Sequence, residues 1–344
     1  MDKQRRILVT GGSGYIGSHT VVELLNEGHE VVIIDNLCNS FGWIVDQIEF
    51  ITKKKVAFYH VDMHDQFQMS SFFDLHHDFD GIIHFAALKA VGESVEKPNV
   101  YYHNNLVSLM HLLDNMHKHK LDNLIFSSSC TVYGEPEKVP ITEDFPIVQA
   151  ESPYGNTKQI SEEIIKDNIR ISNLNAVALR YFNPVGAHTS ALLGELPLQK
   201  PQSLMPVITQ TCIGKREKLV VFGVDYPTID GTAIRDYFHV TDLAIAHIKA
   251  LGFLWEERNT EQFSVFNLGS EKGYSVLEVI KTFEKENEVK VNFEIGDRRE
   301  GDVSIVWADS SKALKDLGWK TTFTLPDMVK TSWNWEKYLK TRNL

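Results

Sequence analysis

The stretch RILVTGGSGYIGSHTVVELLNEGHEVVIIDN, residues 6–36, leaves a chain few folds to choose from. ILVT is a short apolar run and reads as a buried strand. GSHTVVELLNEG then carries apolar residues at helical spacing and stops at Gly28, a residue suited to a left-handed helix cap. EVVIID reads as a second buried strand, so the three pieces make one βαβ unit with a right-handed crossover. The connecting turn holds G-x-G-x-x-G as Gly12, Gly14 and Gly17, and a wider spacing as Gly11, Gly14 and Gly17. Glycine permits the tight turn and lets the backbone approach a pyrophosphate, while the helix N-terminus offers free N–H groups to that anion. Asp35 ends the second strand. A carboxylate there can accept both ribose hydroxyls of an adenosine and repels a 2′-phosphate, which favours NAD over NADP.

The alternation continues. VAFYHVD, GIIHFAA, LIFSSS and AVALRYF read as strands, with helices expected around Phe67 to Leu75, from Tyr101 to Met116 and after Pro153. Alternating β and α of this kind predicts an α/β fold, a Rossmann-type doubly wound parallel sheet covered on both faces. After Phe182 the texture changes. NPVGAHTSALLGELPLQKPQSLMP is rich in Pro and Gly with little periodicity, as functional or flexible loops are. DYFHVTDLAIAHIKAL reads as a helix returning to the first unit, and FSVFNLG as another strand of its sheet. From about Lys272 onward short helices and one or two strands are expected. The domains are therefore expected to interleave. Residues 1–183 with about 236–269 would form the NAD-binding Rossmann domain. About 184–235 with 270–344 would form a smaller α/β substrate-binding domain.

SPYGNTK, residues 152–158, places a phenol and an ammonium four positions apart. Ser152 can cap a helix with Pro153 at its first position, so Tyr154 and Lys158 share one face of the first turns. A free tyrosine has a pKa near 10 and needs help of several units to act as a base near neutrality. Lys158 is a source of positive charge, an oxidised nicotinamide is another, and a hydroxyl such as Ser129 can share the proton. The serine run Ser127, Ser128 and Ser129 ends a strand, the edge at which open α/β sheets bind ligands.

With these residues in place, the chain resembles the extended short-chain dehydrogenase/reductase family and, within it, the UDP-glucose (UDP-galactose) 4-epimerase family. The likeness runs nearly end to end through VTGGSGYIGSHT, IIDNLCNS, HFAALKAVGESVEKP, FSSSCTVYG, SPYGNTK, LRYFNPVGAH, DGTAIRDYFHV and RREGDV. The resemblance implies a tightly held NAD and a UDP-sugar substrate. Sugar C4 is oxidised to a ketone, the sugar turns within the site, and C4 is reduced on its other face. By matching motifs, Tyr154 would be the base, Lys158 its electrostatic support and Ser129 the hydroxyl partner. The same three would also touch NAD. Its further contacts would be Gly11, Gly14, Tyr15, Ile16, Gly17, Asp35, Asn36, Leu37, Cys38, Asn39 and Ser40, then Asp62 and Met63. The rest would be Phe85, Ala86, Ala87, Leu88, Lys89, Asn104 and Phe182. Asn183, Ser203, Leu204, Phe222, Arg235, Arg299, Asp302 and Val306 would line the UDP-sugar site, where guanidinium forks suit a diphosphate.

Three departures from the family pattern stand out. Ala87 replaces a glycine in FAALK, and Ser203 stands in KPQSLMP where an asparagine is usual. Val306 occupies a position that a bulky tyrosine fills in some bacterial members, which is expected to leave room for an N-acetyl group on sugar C2. A 4-epimerase of a uronate or pentose remains open on these residues, as does a catalytically silent NAD sensor. A 4,6-dehydratase is disfavoured, because it needs an acid to protonate a leaving hydroxyl and SSSCTVYG holds none.

Composition closes other routes. The 35 basic and 46 acidic residues give a formal charge of −11, against nucleic acid as a partner. No apolar run approaches the roughly 20 residues of a membrane span. Cys38, Cys130 and Cys212 are too scattered for a disulfide framework or a zinc site, and the 14 histidines show no ligand spacing. No metal is expected. The first residues lead directly into a strand, so no leader peptide and a cytoplasmic location are expected. Apolar faces around Tyr101 to Met116 and Ile160 to Ile171 suit a core or the helix bundle of a homodimer, which the family commonly makes.

Overall fold

Strands that read as unbroken apolar runs need cover on both faces. The structure, a computed structural model describing residues 3–198, 201–299 and 303–342, supplies it. The chain opens with β1 (Arg6–Thr10), α1 (Tyr15–Asn26), β2 (Glu30–Asp35), α2 (Trp43–Thr52) and β3 (Ala57–His60). The alternation continues through α3 (Gln66–Leu75), β4 (Gly81–His84), α4 (Val91–Glu96), α5 (Pro98–His119), β5 (Asn123–Ser129), α6 (Pro153–Ile169) and β6 (Asn175–Tyr181). Next come β7 (Asn183–Val185), α7 (Leu204–Cys212), β8 (Leu219–Phe222), β9 (Ile234–His239), α8 (Val240–Trp255) and β10 (Phe263–Leu268). β11 (Gly273–Ser275), α9 (Val276–Asn287), β12 (Phe293–Gly296), β13 (Ile305–Val306) and α10 (Leu325–Thr341) complete it.

Seven strands form the main sheet in the order β10-β6-β5-β4-β1-β2-β3. Every neighbouring pair is parallel. The chain order reverses between β1 and β4, and that reversal opens a crevice at the carboxyl edge. Successive residues of a strand face opposite sides. Ile7 and Val9 therefore join Val21, Leu24, Leu243 and Leu251 in the core beneath α1 and α8. Leu8 joins Phe72, Phe73, Leu109 and Leu112 on the face covered by α3 and α5. Burial of each such side chain stabilises the fold by about 2 kcal/mol before chain entropy is counted.

The remaining strands form two further sheets. β9 pairs with β11, β13 and β7, and β8 pairs with β12 in parallel. Here the structure corrects the sequence reading, in which a helix began at Asp236. Residues 234–239 are extended instead. The Asp236 carboxylate is fully buried and accepts hydrogen bonds from Ser270 N (2.7 Å), Ser270 Oγ (2.6 Å) and Ala308 N (3.0 Å). These tertiary bonds hold its backbone in a sheet, and the helix starts only where His239 Nδ1 accepts from Thr241 N at 3.1 Å. The end of the chain also departs from the expected short helices and one or two strands. Three strands follow Lys272, and α10 runs 17 residues from a Thr324–Asp327 capping box. The sequence reading assigned no element to α2, and α7 begins inside the Pro- and Gly-rich stretch read as a loop.

Candidate active site

The crevice is lined first by the glycine turn. Gly11 has φ +69°, and a Cβ on Gly17 would lie 2.3 Å from Gly11 O, so α1 starts hard against the turn. Gly14 caps α1 without a side-chain hydrogen bond, and the first turn holds no acidic residue. Its N–H groups are thus left to an anion. At the end of β2 the Asp35 carboxylate accepts from Leu37 N (2.8 Å), Ser40 Oγ (3.2 Å) and Ser13 N (3.2 Å), which fixes its orientation. A glycine cradle beside an anion-receptive helix end and a fixed carboxylate suits a dinucleotide, and the donor set fits NAD.

The other expected cofactor contacts line the same edge. Tyr15 and Ile16 begin α1, and Asn36, Leu37, Cys38, Asn39 and Ser40 follow β2, with Cys38 and Asn39 at the exposed rim. Asp62 and Met63 follow β3. Asn36 Nδ2 donates to Asp62 Oδ1 at 3.4 Å, whereas the Met63 side chain points into the core. Phe85, Ala86, Ala87, Leu88 and Lys89 follow β4, Asn104 lies on α5, and Phe182 follows β6.

Tyr154, Lys158 and Ser129 converge at this edge. Ser152 caps α6 by accepting from Gly155 N at 3.1 Å, with Pro153 in its first turn. Tyr154 is therefore presented one turn before Lys158. The Lys158 ammonium donates to Ser127 O at 2.7 Å and lies 5.9 Å from the centre of the Tyr154 ring. The Ser129 hydroxyl lies near enough to the Tyr154 phenol to pull its pKa down. It accepts from Thr131 N (3.2 Å) and Thr131 Oγ1 (3.0 Å), which locks its position.

Burial dominates the electrostatics of this trio. Burial, and next the neighbouring Tyr181, raise the Tyr154 phenol well above its ordinary pKa, while the Ser129 hydroxyl pulls the other way. Lys158 is itself perturbed. Its own pKa is lowered from 10.5 to about 8, because burial outweighs the attraction of Glu162. Without a further positive charge the phenol is held neutral. His84 adds none: burial, and then Lys158, lower its pKa to about 3, and its neutral ring shares a 2.7 Å hydrogen bond with Thr10.

The expected substrate residues lie on the elements after β6. Asn183 begins β7, Leu204 begins α7 with the exposed Ser203 before it, and Phe222 ends β8. The Arg299 guanidinium stacks 4.0 Å from the Phe222 ring centre. Arg235 and Val306 are register partners in the parallel β9–β13 pair, and Val306 packs against the small cluster that holds Val132, Tyr133, Ile141, Phe182 and Ala308. Asp302 lies outside the described residues.

Sequence reading missed the support behind Tyr154. Glu162, one turn beyond Lys158, is 1 % exposed and accepts from Ser128 Oγ (2.6 Å), Arg180 Nε (2.9 Å) and Arg180 Nη2 (2.5 Å). The Asn105 side chain donates to Leu88 O (3.0 Å) and Thr157 Oγ1 (3.1 Å) and accepts from Leu88 N (2.8 Å). A carboxylate four residues after Lys158 was the available signal for Glu162. Asn105 had none. Cys130 is a half-buried thiol pushed up to about 12 by desolvation, which leaves it unreactive.

Comparison with known proteins adds the following. The family model described as GDP-mannose 4,6 dehydratase matches residues 8–332. UDP-glucose 4-epimerase of Bacillus subtilis is 49% identical over 331 residues, 96% of each chain. The crystal structure of UDP-glucose-4-epimerase from Stenotrophomonas maltophila, with bound NAD and formylated UDP-arabinopyranose, superposes with TM-score 0.94 at 44% identity, covering 98% of this chain and 100% of that one. The Bifidobacterium longum UDP-glucose 4-epimerase in complex with NAD+ and UDP gives TM-score 0.91 at 46% identity, covering 97% and 98%.

The depressed Lys158 pKa makes a prediction for the cofactor-free protein. Between about pH 8 and 10.5 the unfolded chain holds the Lys158 proton and the folded chain does not, so stability rises with pH across that window. Relative to Lys158→Met, the parent should gain about 2 to 3 kcal/mol from pH 7 to pH 10 in urea unfolding. A constant difference would contradict the shift.

Proposed function

The chain belongs to the UDP-glucose 4-epimerase family of extended short-chain dehydrogenases/reductases, and from that premise we propose which of its side chains carry the chemistry. It is an NAD-dependent isomerase that interconverts UDP-glucose and UDP-galactose. The family model's name belongs to a dehydratase, but the residues after Ser129 are Cys130 and Thr131, and neither offers the acid that loss of water requires. Galactose metabolism is the setting this reading gives the enzyme.

Tyr154 accepts the proton of the sugar 4-hydroxyl. Ser129 holds that hydroxyl in line beside the phenol. Lys158, anchored on Ser127 O, keeps a positive charge beneath the reacting edge. When bound, NAD supplies the acceptor and later the donor of the C4 hydride, together with a positive charge near the phenol. Residues of the glycine turn hold its pyrophosphate, and Asp35 holds the adenosine ribose. Arg235 and Arg299 bind the diphosphate of the UDP-sugar, and Phe222, Leu204 and Asn183 line its path. Asp302 keeps the role that the RREGDV motif suggests. The reading divides the chain into residues 1–183 with about 236–269 around the cofactor, and about 184–235 with 270–344 around the substrate. The observation that carries it is the convergence of Tyr154, Lys158 and Ser129 beside the crevice where the sheet order reverses.

Two copies are proposed to pair through α5 and α6. The support is exposed apolar side chains, Val100 and Met110 on α5 and Ile171 just beyond α6. Light scattering should give twice the chain mass, and a monomer would refute the pairing. No helix among the described residues is long and apolar enough to cross a membrane. The cytoplasm is the proposed compartment, supported by three free cysteines.

Tyr154→Phe should retain NAD and UDP while turnover of UDP-galactose falls by about a thousandfold, because only the proton acceptor is lost. A loss of only a few-fold in a coupled assay without added NAD would remove Tyr154 from its role. Val306, small and beside Phe182, is proposed to admit N-acetylated sugars. UDP-N-acetylglucosamine should turn over above about a thousandth of the UDP-glucose rate, since a pocket that merely excludes bulk discriminates weakly. A lower rate would count against the open pocket.

A further inference from the structure

The segment after β7 is tied to the loops on both sides of the cofactor crevice. On the β1 side, the Tyr15 hydroxyl donates to Gly186 O at 2.7 Å. On the β4 side, Lys89 Nζ pairs with Glu195 Oε1 at 2.9 Å, and Gly92 N donates to Gln202 Oε1 at 3.3 Å. The ammonium of Lys89 also lies 5.5 Å from the centre of the Tyr15 ring, so the two sides meet beneath the segment. Tyr15 directly follows the glycine turn, and Lys89 ends the loop after β4. The contacts therefore span the two strands between which the sheet order reverses.

The segment is built to hold this shape. Ala187 bridges Gly194, and His188 N donates to Leu193 O at 2.9 Å. Ala191 takes φ +61° at the tip of the resulting hairpin. A Cβ on Gly194 would lie 2.5 Å from the Trp335 ring, and Trp335 Nε1 donates to Glu195 O at 2.9 Å. α10 thus fixes the backbone at Glu195, whose side chain is 16 % exposed against 49 % for Lys89. An ion pair anchored at one end loses less side-chain entropy on forming than one between two free side chains.

We propose that Glu195 is a positioning residue that fastens the 186–195 hairpin to Lys89 and so retains the dinucleotide in the crevice. It touches none of the reacting atoms. Its effect is on release, because the cofactor leaves only when the Lys89–Glu195 pair opens. This rests on the NAD site assigned above.

The test measures exchange of bound NAD for radiolabelled NAD in purified holoenzyme, with melting temperature read in parallel. Glu195→Gln should exchange about fivefold faster than the parent at an unchanged melting temperature, with Glu195→Asp in between because it keeps the charge. Trp335→Phe, which removes the donor to Glu195 O, should also speed exchange, by about threefold. Parent-like exchange in both Glu195→Gln and Trp335→Phe would overturn the proposal. A parent that purifies without NAD would instead remove the cofactor assignment on which it rests.

Discussion

Tyr154 and Lys158 lie one turn apart on α6 with almost no access to water, and burial opposes charge on both. The site depends on how that opposition is met. A phenol in such surroundings is a poor base, and an ammonium there gives up its proton more readily than in water. The fold answers by spending other groups on the pair. Ser127 O accepts the ammonium, Glu162 attracts it from the next turn, and the Ser129 hydroxyl pulls the phenol's pKa down. These offset part of the burial cost and leave the rest to a cationic cofactor. In the proposed mechanism, proton acceptance is thereby coupled to an oxidised nicotinamide, which is the state in which the sugar has to lose its proton.

The buried ion pair behind the site has the same logic. Glu162 and Arg180 connect α6 to β6, and Arg180 Nη1 also donates to the Tyr133 hydroxyl at 3.0 Å. The Tyr133 hydroxyl in turn donates to Asn267 Oδ1 on β10 at 2.7 Å. Such a network adds little net stability over an apolar replacement, yet breaking one member is costly. Its value here is position. Ser128, held by Glu162, lies between the carbonyl that anchors Lys158 and the hydroxyl that meets Tyr154. The helix carrying the base and the strand carrying its partner therefore move as one body.

The sheet, the glycine turn and the face of α6 shared by Tyr154 and Lys158 were legible because each rests on local periodicity or on a short turn with one permitted chemistry. Strand β9 was not. Its DYFH segment leads without a break into a helical pattern, and only the contacts of Asp236 with Ser270 and Ala308, 34 and 72 residues away, keep it extended. Glu162 and Arg180, 18 positions apart, meet only once α6 packs on β6. The directions in which burial moves the proton affinities of Tyr154 and Lys158 were not legible for a related reason. Spacing shows that the two share a face, whereas the depth at which that face is buried belongs to the tertiary fold.

The central claim is that Tyr154 ionises because the bound cofactor overcomes burial. A spectroscopic titration tests it most directly, reading the phenolate absorbance present in the parent and missing from Tyr154→Phe. With NAD bound, that phenolate should appear below about pH 8, and in the cofactor-free protein it should not appear below about pH 10. A Tyr154 that keeps a free phenol's pKa, near 10, in the NAD-loaded protein would contradict the account.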